Sequence, residues 1–157
     1  MIYGRNPRRT AVRVLVLVAV SVIIFRWVLI PIRAEGISME PAYQSGTLHF
    51  VNRLAFAAHG PRRGDVIAIR LAGPHVLYVK RVVGLPGERI EIIEGQVYVN
   101  GALLVESYVQ RRKPWQYDEV TLTSREYFLI GDNRAMLAKD HAFGRADVSR
   151  IVGKVVF

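Results

Sequence analysis

Three short clusters of this 157-residue chain hold the side chains best suited to chemistry. Gly36-Ile37-Ser38-Met39-Glu40-Pro41 offers a hydroxyl, and Tyr78-Val79-Lys80-Arg81 offers an amine beside a guanidinium. Gly131-Asp132-Asn133-Arg134 is a polar turn directly after an apolar run. A serine becomes a nucleophile when a base takes its proton, and a lysine serves as that base once it is neutral near pH 7. Burial supplies the neutrality, because desolvation disfavours the ammonium form. If Leu77–Val83 is a strand, Tyr78, Lys80 and Val82 share one face, and Leu77, Val79, Arg81 and Val83 the other. One of the two cations then faces inward. If it is Lys80, a Ser38–Lys80 pair is chemically sensible without any cofactor. Taken alone, Ser38 reads as a helix N-cap, and either cation could snorkel past a sheet edge.

Other chemistries find less support. The chain has no cysteine, which removes thiol nucleophiles, cysteine-ligated zinc, iron–sulfur clusters and disulfides. The histidines are His49, His59, His75 and His141, and no two have helix or hairpin ligand spacing, so no metal is expected. Only His141, beside Asp140, is a serious candidate for a serine–histidine arrangement. Gly84-Leu85-Pro86-Gly87 cannot cradle a phosphate, since proline stands where a donor N–H is needed.

The elements that must position these groups follow from where charge and apolar residues sit. The net charge is +9, but residues 1–33 carry Arg5, Arg8, Arg9, Arg13, Arg26 and Arg33 and no acid. The remainder holds 16 basic and 13 acidic groups, so nucleic-acid binding loses its electrostatic support. Val14–Ile32 is an apolar stretch of 19 residues, about 28 Å as a helix and close to a hydrocarbon core. Arg26 interrupts it beside Trp27, where a long side chain can snorkel and an aromatic ring can anchor. A cleaved signal peptide is the alternative, because the uninterrupted run Val14–Phe25 has only 12 residues. Against it, Trp27-Val28-Leu29-Ile30-Pro31 offers no small-residue cleavage site. The reading is a cytoplasmic basic segment 1–13, a single membrane anchor 14–32 and an extracytoplasmic domain 33–157, with arginines on the inner side.

Past the anchor the pattern turns to short β-branched runs. Thr47–Asn52, Asp65–Arg70, Leu77–Val83, Tyr127–Ile130 and Ile151–Phe157 read as strands, and Arg89–Glu94 with Gln96–Asn100 as a hairpin about Gly95. Turn signals recur at Gly60-Pro61, Gly73-Pro74 and Asn100-Gly101. The fold class is therefore mainly β, an antiparallel sheet domain behind one N-terminal helix. Residues 105–126, with Arg111-Arg112-Lys113-Pro114-Trp115, read as an excursion projecting from the sheet.

In this order the clusters resemble the type I signal peptidases, membrane-anchored Ser–Lys endopeptidases that remove signal peptides. Ser38-Met39-Glu40-Pro41 resembles the family's nucleophile box, and Arg63-Gly64-Asp65-Val66-Ile67 its strand box. Tyr78 to Glu88 (YVKRVVGLPGE) matches the lysine box almost letter for letter, and Gly131-Asp132-Asn133-Arg134 opens the last box, closed by Phe143-Gly144. The resemblance implies Ser38 as nucleophile, Lys80 as general base and Asp132, Asn133 and Arg134 as support. It implies pre-proteins and membrane lipid as partners, no nucleic acid, no cofactor, and a place in the cell membrane. Small residues before the scissile bond would fit shallow pockets near Ile37, Met39, Tyr78 and Val79, and Trp27, Trp115 and Arg111–Lys113 would touch headgroups.

The last box departs from the family. Leu137 stands where a serine usually orients the lysine, and Lys139 and His141 where an aspartate and an arginine pair; Asp140 with His141 would substitute for that pair. Gly36 stands where some members carry a hydroxyl that stabilises the oxyanion, leaving backbone N–H groups, Ser38's foremost. Two other readings stay open: a non-catalytic relative that binds extended peptides, and a peptidase dedicated to one substrate.

Overall fold

The computed structural model describes residues 6–72 and 76–156; Arg5, the turn Gly73-Pro74, His75 and Phe157 lie outside the described residues. The chain opens with helix α1 (Pro7–Ile23), and a π-helical turn over Ile24–Val28 continues it. Asn6 caps α1, its side chain accepting from the N–H groups of Arg8 (3.1 Å) and Arg9 (3.4 Å), and Pro7 fills the first turn, where a missing N–H costs nothing. Pro7–Val28 spans 22 residues with a mean hydropathy of 2.3, and none of these residues is buried. Leu15 and Leu17 stand wholly outward. A helix of that length and composition is long and apolar enough to cross a membrane.

The strands follow in order: β1 (Leu29–Arg33), β2 (Leu48–Asn52), β3 (Val66–Ala72), β4 (Val76–Gly84), β5 (Arg89–Ile93) and β6 (Gln96–Val99). The remaining five are β7 (Ala102–Leu103), β8 (Tyr117–Thr121), β9 (Glu126–Ile130), β10 (Gly144–Asp147) and β11 (Ile151–Val156). They form a seven-stranded sheet, β1-β2-β11-β3-β4-β9-β10, and a four-stranded one, β7-β6-β5-β8. Every described pairing is antiparallel, as the short alternating runs imply. Two tight turns explain the second sheet: Glu94-Gly95 and Asn100-Gly101 all have positive φ, the geometry that two-residue hairpins require.

Three differences from the sequence reading have physical causes. The apolar span ends as a helix at Val28 rather than Ile32, and Leu29–Arg33 becomes the edge strand β1, paired to β2 from Leu29↔Asn52 to Arg33↔Leu48. Hydrophobicity alone does not separate a membrane helix from a strand here, and Pro31, which has no N–H, suits an edge position. Arg26 thereby lies at the helix end, its guanidinium 5.9 Å from the Trp27 ring.

Second, residues 105–126 do not project. They contain β8, which pairs with β5, and Val109, Trp115 and Leu122 are buried. Trp115 is 4% exposed and its indole N–H donates to the Met136 carbonyl, so it packs the core instead of meeting lipid. Its ring stacks on Phe143 at 5.3 Å, within a cluster that includes Val83, Ile90, Ile92, Phe128 and Ile130. Third, β8 and β10 went unread, because Tyr117-Asp-Glu-Val-Thr121 and Gly144-Arg-Ala-Asp147 carry too little apolar alternation.

Candidate active site

β4 brings the two cations of the chain's centre to opposite sides. Lys80 lies between Ile67 of β3, its register partner, and the turn that carries Ser38, and only 2% of it is exposed. Its Nζ donates to Ser38 Oγ at 2.9 Å. No carboxylate bonds that amine among the described residues. Burial pulls the Lys80 pKa down to about 8, opposed only in part by the charge of Asp132. Arg81 meets the contrary fate. Its Nε and Nη2 donate to the two carboxylate oxygens of Asp132 at 2.8 and 2.5 Å, Nη1 donates to Gly64 O at 2.7 Å, and the guanidinium lies 4.1 Å from the Tyr108 ring centre. Burial pushes its pKa down, but the bond and charge of Asp132 outweigh this and hold it up.

The turn after β9 clamps the nucleophile's backbone. Asn133 donates its N–H to Ser38 O and its side-chain amide to Ile37 O, both at 3.0 Å. Ser38 N–H donates to no described residue. Arg134 is fully buried but does not reach the amine: its Nε donates to Gly131 O at 2.8 Å and its two terminal nitrogens pair with Glu106. Tyr108 Oη donates to the same carboxylate at 2.8 Å. Sequence reasoning missed Glu106, Tyr108 and Tyr43. The available signal was an acid placed inside Ala102-Leu-Leu-Val-Glu106, a candidate for a buried partner.

A cleft of about 530 Å³ leads to Ser38, walled by β1 and residues 34–36 on one side and by Leu77, Tyr78 and Val79 on the other, with Met39 and Tyr43 contributing. β9 pairs with β4 only from Arg81 to Gly84, so Leu77–Val79 keep an edge open toward that cleft. Of the four residues expected at substrate, Met39, Tyr78 and Val79 line it. Ile37 does not: its side chain turns outward, and Met39 is itself mostly core.

Among the described histidines, none bonds Ser38 Oγ. His49 pairs through Nε2 with Thr47 Oγ1 at 2.7 Å, and exposed His59 through Nδ1 with Gly60 O at 3.1 Å. His141 is buried, 2% exposed, and its Nε2 accepts from Gly131 N–H at 2.8 Å. The expected Asp140–His141 pair does not form. Asp140 points to solvent, and His141 Nδ1 has no hydrogen-bond partner. Leu137, in the place of a serine that would orient the lysine, is 46% exposed and Lys139 is exposed too, so neither takes up that task.

A family model described as signal peptidase, peptidase S26, matches residues 8–157. The chain belongs to the signal peptidase family. Among curated relatives, signal peptidase I of Bacillus caldolyticus is 37% identical over 78% of this chain and 75% of its own. Signal peptidase I V of Bacillus subtilis is 33% identical over 82% and 84%. A Synechocystis relative named "Probable signal peptidase I-2" is 28% identical over 74% of this chain, which spans 56% of its length. A solved signal peptidase I from Enterococcus faecalis V583 superposes with a TM-score of 0.47 at 26% identity, over 61% of this chain and 97% of that one. Signal peptidase is the function these relatives support, and the family makes the chain a membrane-anchored serine endopeptidase whose partners are signal-peptide-bearing pre-proteins. The apolar helix Pro7–Val28 fits that anchor.

Proposed function

We propose that this chain removes signal peptides from pre-proteins with Ser38 as nucleophile and Lys80 as its base. The observation that carries the reading is the 2.9 Å contact from Lys80 Nζ to Ser38 Oγ, made by an amine that is 2% exposed and has a pKa near 8. The cleavage region lies extended in the cleft and adds to the open edge at Leu77–Val79, with residues 34–36 on its other flank. Neutral Lys80 takes the Ser38 proton as Oγ bonds the scissile carbonyl carbon, and the carbonyl π pair moves onto oxygen. Ser38 N–H, bonded to no described residue, meets the oxyanion, and Asn133 holds the turn that presents it. The ammonium then protonates the leaving nitrogen as the C–N bond breaks. Water, deprotonated by Lys80 in turn, hydrolyses the acyl ester and frees Ser38.

Asp132, Asn133 and Arg134 act at one remove: Asp132 holds Arg81, Asn133 the backbone of Ile37 and Ser38, and Arg134 the Gly131 carbonyl. The basic residues Arg8, Arg9 and Arg13 before the span support an orientation with the N-terminus in the cytoplasm and the sheets outside, at the cell membrane. Enzyme and signal peptide then share one bilayer, which pre-orients their encounter. The test is processing of a pre-protein in membranes by the full chain. Ser38→Ala and Lys80→Ala should each abolish it, Lys80→Arg should too because a guanidinium stays protonated, and undiminished processing by any of them refutes the pair.

A further inference from the structure

His141 is a buried titratable side chain for which the Ser38–Lys80 chemistry has no use. Its ring sits in a slot: Trp115 packs against it edge-on at 4.9 Å, and Phe143 lies 6.1 Å away. Nε2 accepts the Gly131 N–H at 2.8 Å, so the ring's proton resides on Nδ1. Gly131 in turn is pressed between that ring and the nucleophile's own backbone. A Cβ built there would stand 2.2 Å from Ser38 O and 2.6 Å from His141 Nε2, distances no side chain tolerates. The same turn continues into Asn133, which donates to Ser38 O and Ile37 O. A chain of direct contacts therefore runs from the imidazole through Gly131 to the residue that carries Oγ.

We propose that His141 is a positioning residue for the proteolytic reaction, acting as a neutral acceptor that seats Gly131 against Ser38 and so sets where Oγ stands relative to Lys80. The inference rests on the Ser38–Lys80 reading. The charged groups that face the ring are Lys80 and Arg134, and the carboxylate of Glu106 is taken up by Arg134. Burial, and then those two cations, drive the His141 pKa down to about 3, which keeps the acceptor lone pair available wherever the enzyme works. A protonated ring would lose the Gly131 bond and set a third cation beside them.

The experiment measures kcat and KM for a pre-protein with the full chain in proteoliposomes. His141→Phe keeps an aromatic ring in the slot but removes the acceptor; kcat should fall tenfold to a hundredfold, as a misplacement near 1 Å costs, with KM within twofold. In His141→Gln the amide oxygen reaches the place of Nε2, and kcat should return to within about threefold of the parent. His141→Asn, whose oxygen reaches only the place of Nδ1, should stay as low as the phenylalanine variant, and this comparison stands if His141→Phe fails to fold. The limb of activity near pH 8 should keep its midpoint in His141→Gln, because one neutral group replaces another. A folded His141→Phe with the parent's kcat, equal losses for Gln and Asn, or a midpoint moved by a unit or more would each overturn the proposal. Loss of the parallel Ser38→Ala control's inactivity would instead sink the underlying reading.

Discussion

Lys80 and Arg81 are consecutive cations on one strand with opposite surroundings. Arg81 is held by both oxygens of Asp132, by Gly64 O and by the Tyr108 ring, and its charge is locked in place. Lys80 is buried, and the only hydrogen-bond partner of its amine among the described residues is a neutral hydroxyl. The fold satisfies one charge completely and starves the other. Residue types explain the division of labour: a guanidinium cannot be deprotonated and suits a structural fork, whereas an ammonium gives up its proton when desolvated. The two cations differ in the partner supplied, a carboxylate for Arg81 and a neutral hydroxyl for Lys80, as well as in the depth of their burial.

The sharpest way to break that contrast is to remove the starved amine. Lys80→Met should cut the single-turnover cleavage rate at least about 10⁴-fold, as loss of a member of a nucleophile–base unit does. Asp132→Ala probes the satisfied side. It strips Arg81 of its carboxylate in a nearly dry site and should cost about 3–5 kcal/mol in denaturant unfolding. Because Asp132 also raises the Lys80 pKa, any residual activity should show its alkaline rise at lower pH than in the parent.

A third measurement is stability itself. Lys80 titrates near 8 when folded and at 10.5 when unfolded, so between those values the unfolded chain binds more protons and stability climbs with pH. Below pH 8 the whole penalty is present, about 3 kcal/mol, and Lys80→Met should recover about that much at pH 7 in the same unfolding experiment. The smallest effect is expected at Leu137. Since Leu137 is 46% exposed, Leu137→Ser should change kcat/KM by less than about threefold.

Much of this was legible in the sequence where local pattern and chemistry agree. The alternation of β4 separates Lys80 from Arg81, and Glu94-Gly95 announces its hairpin. What stayed illegible depends on long-range contacts. Nothing near Glu106 says that Arg134, 28 residues on, will close on it, and that pairing draws residues 105–126 inward rather than away from the sheet. Leu29–Ile32 are apolar enough for either a bilayer or a sheet, and only the partner strand β2 decides. His141 looked like half of an ion pair with Asp140. Its ring turns inward onto Trp115 and Gly131 instead, a choice set by packing around a buried indole that its neighbours in sequence do not encode.

The charge state of one nitrogen decides the account. Titrating the full chain with Cε-labelled lysine by NMR, and assigning the Lys80 signal by its loss in Lys80→Met, reads that state directly. A midpoint near 8 is the predicted result. A midpoint at the ordinary lysine value near 10.5 would mean that water reaches the amine and that Ser38 has no base beside it.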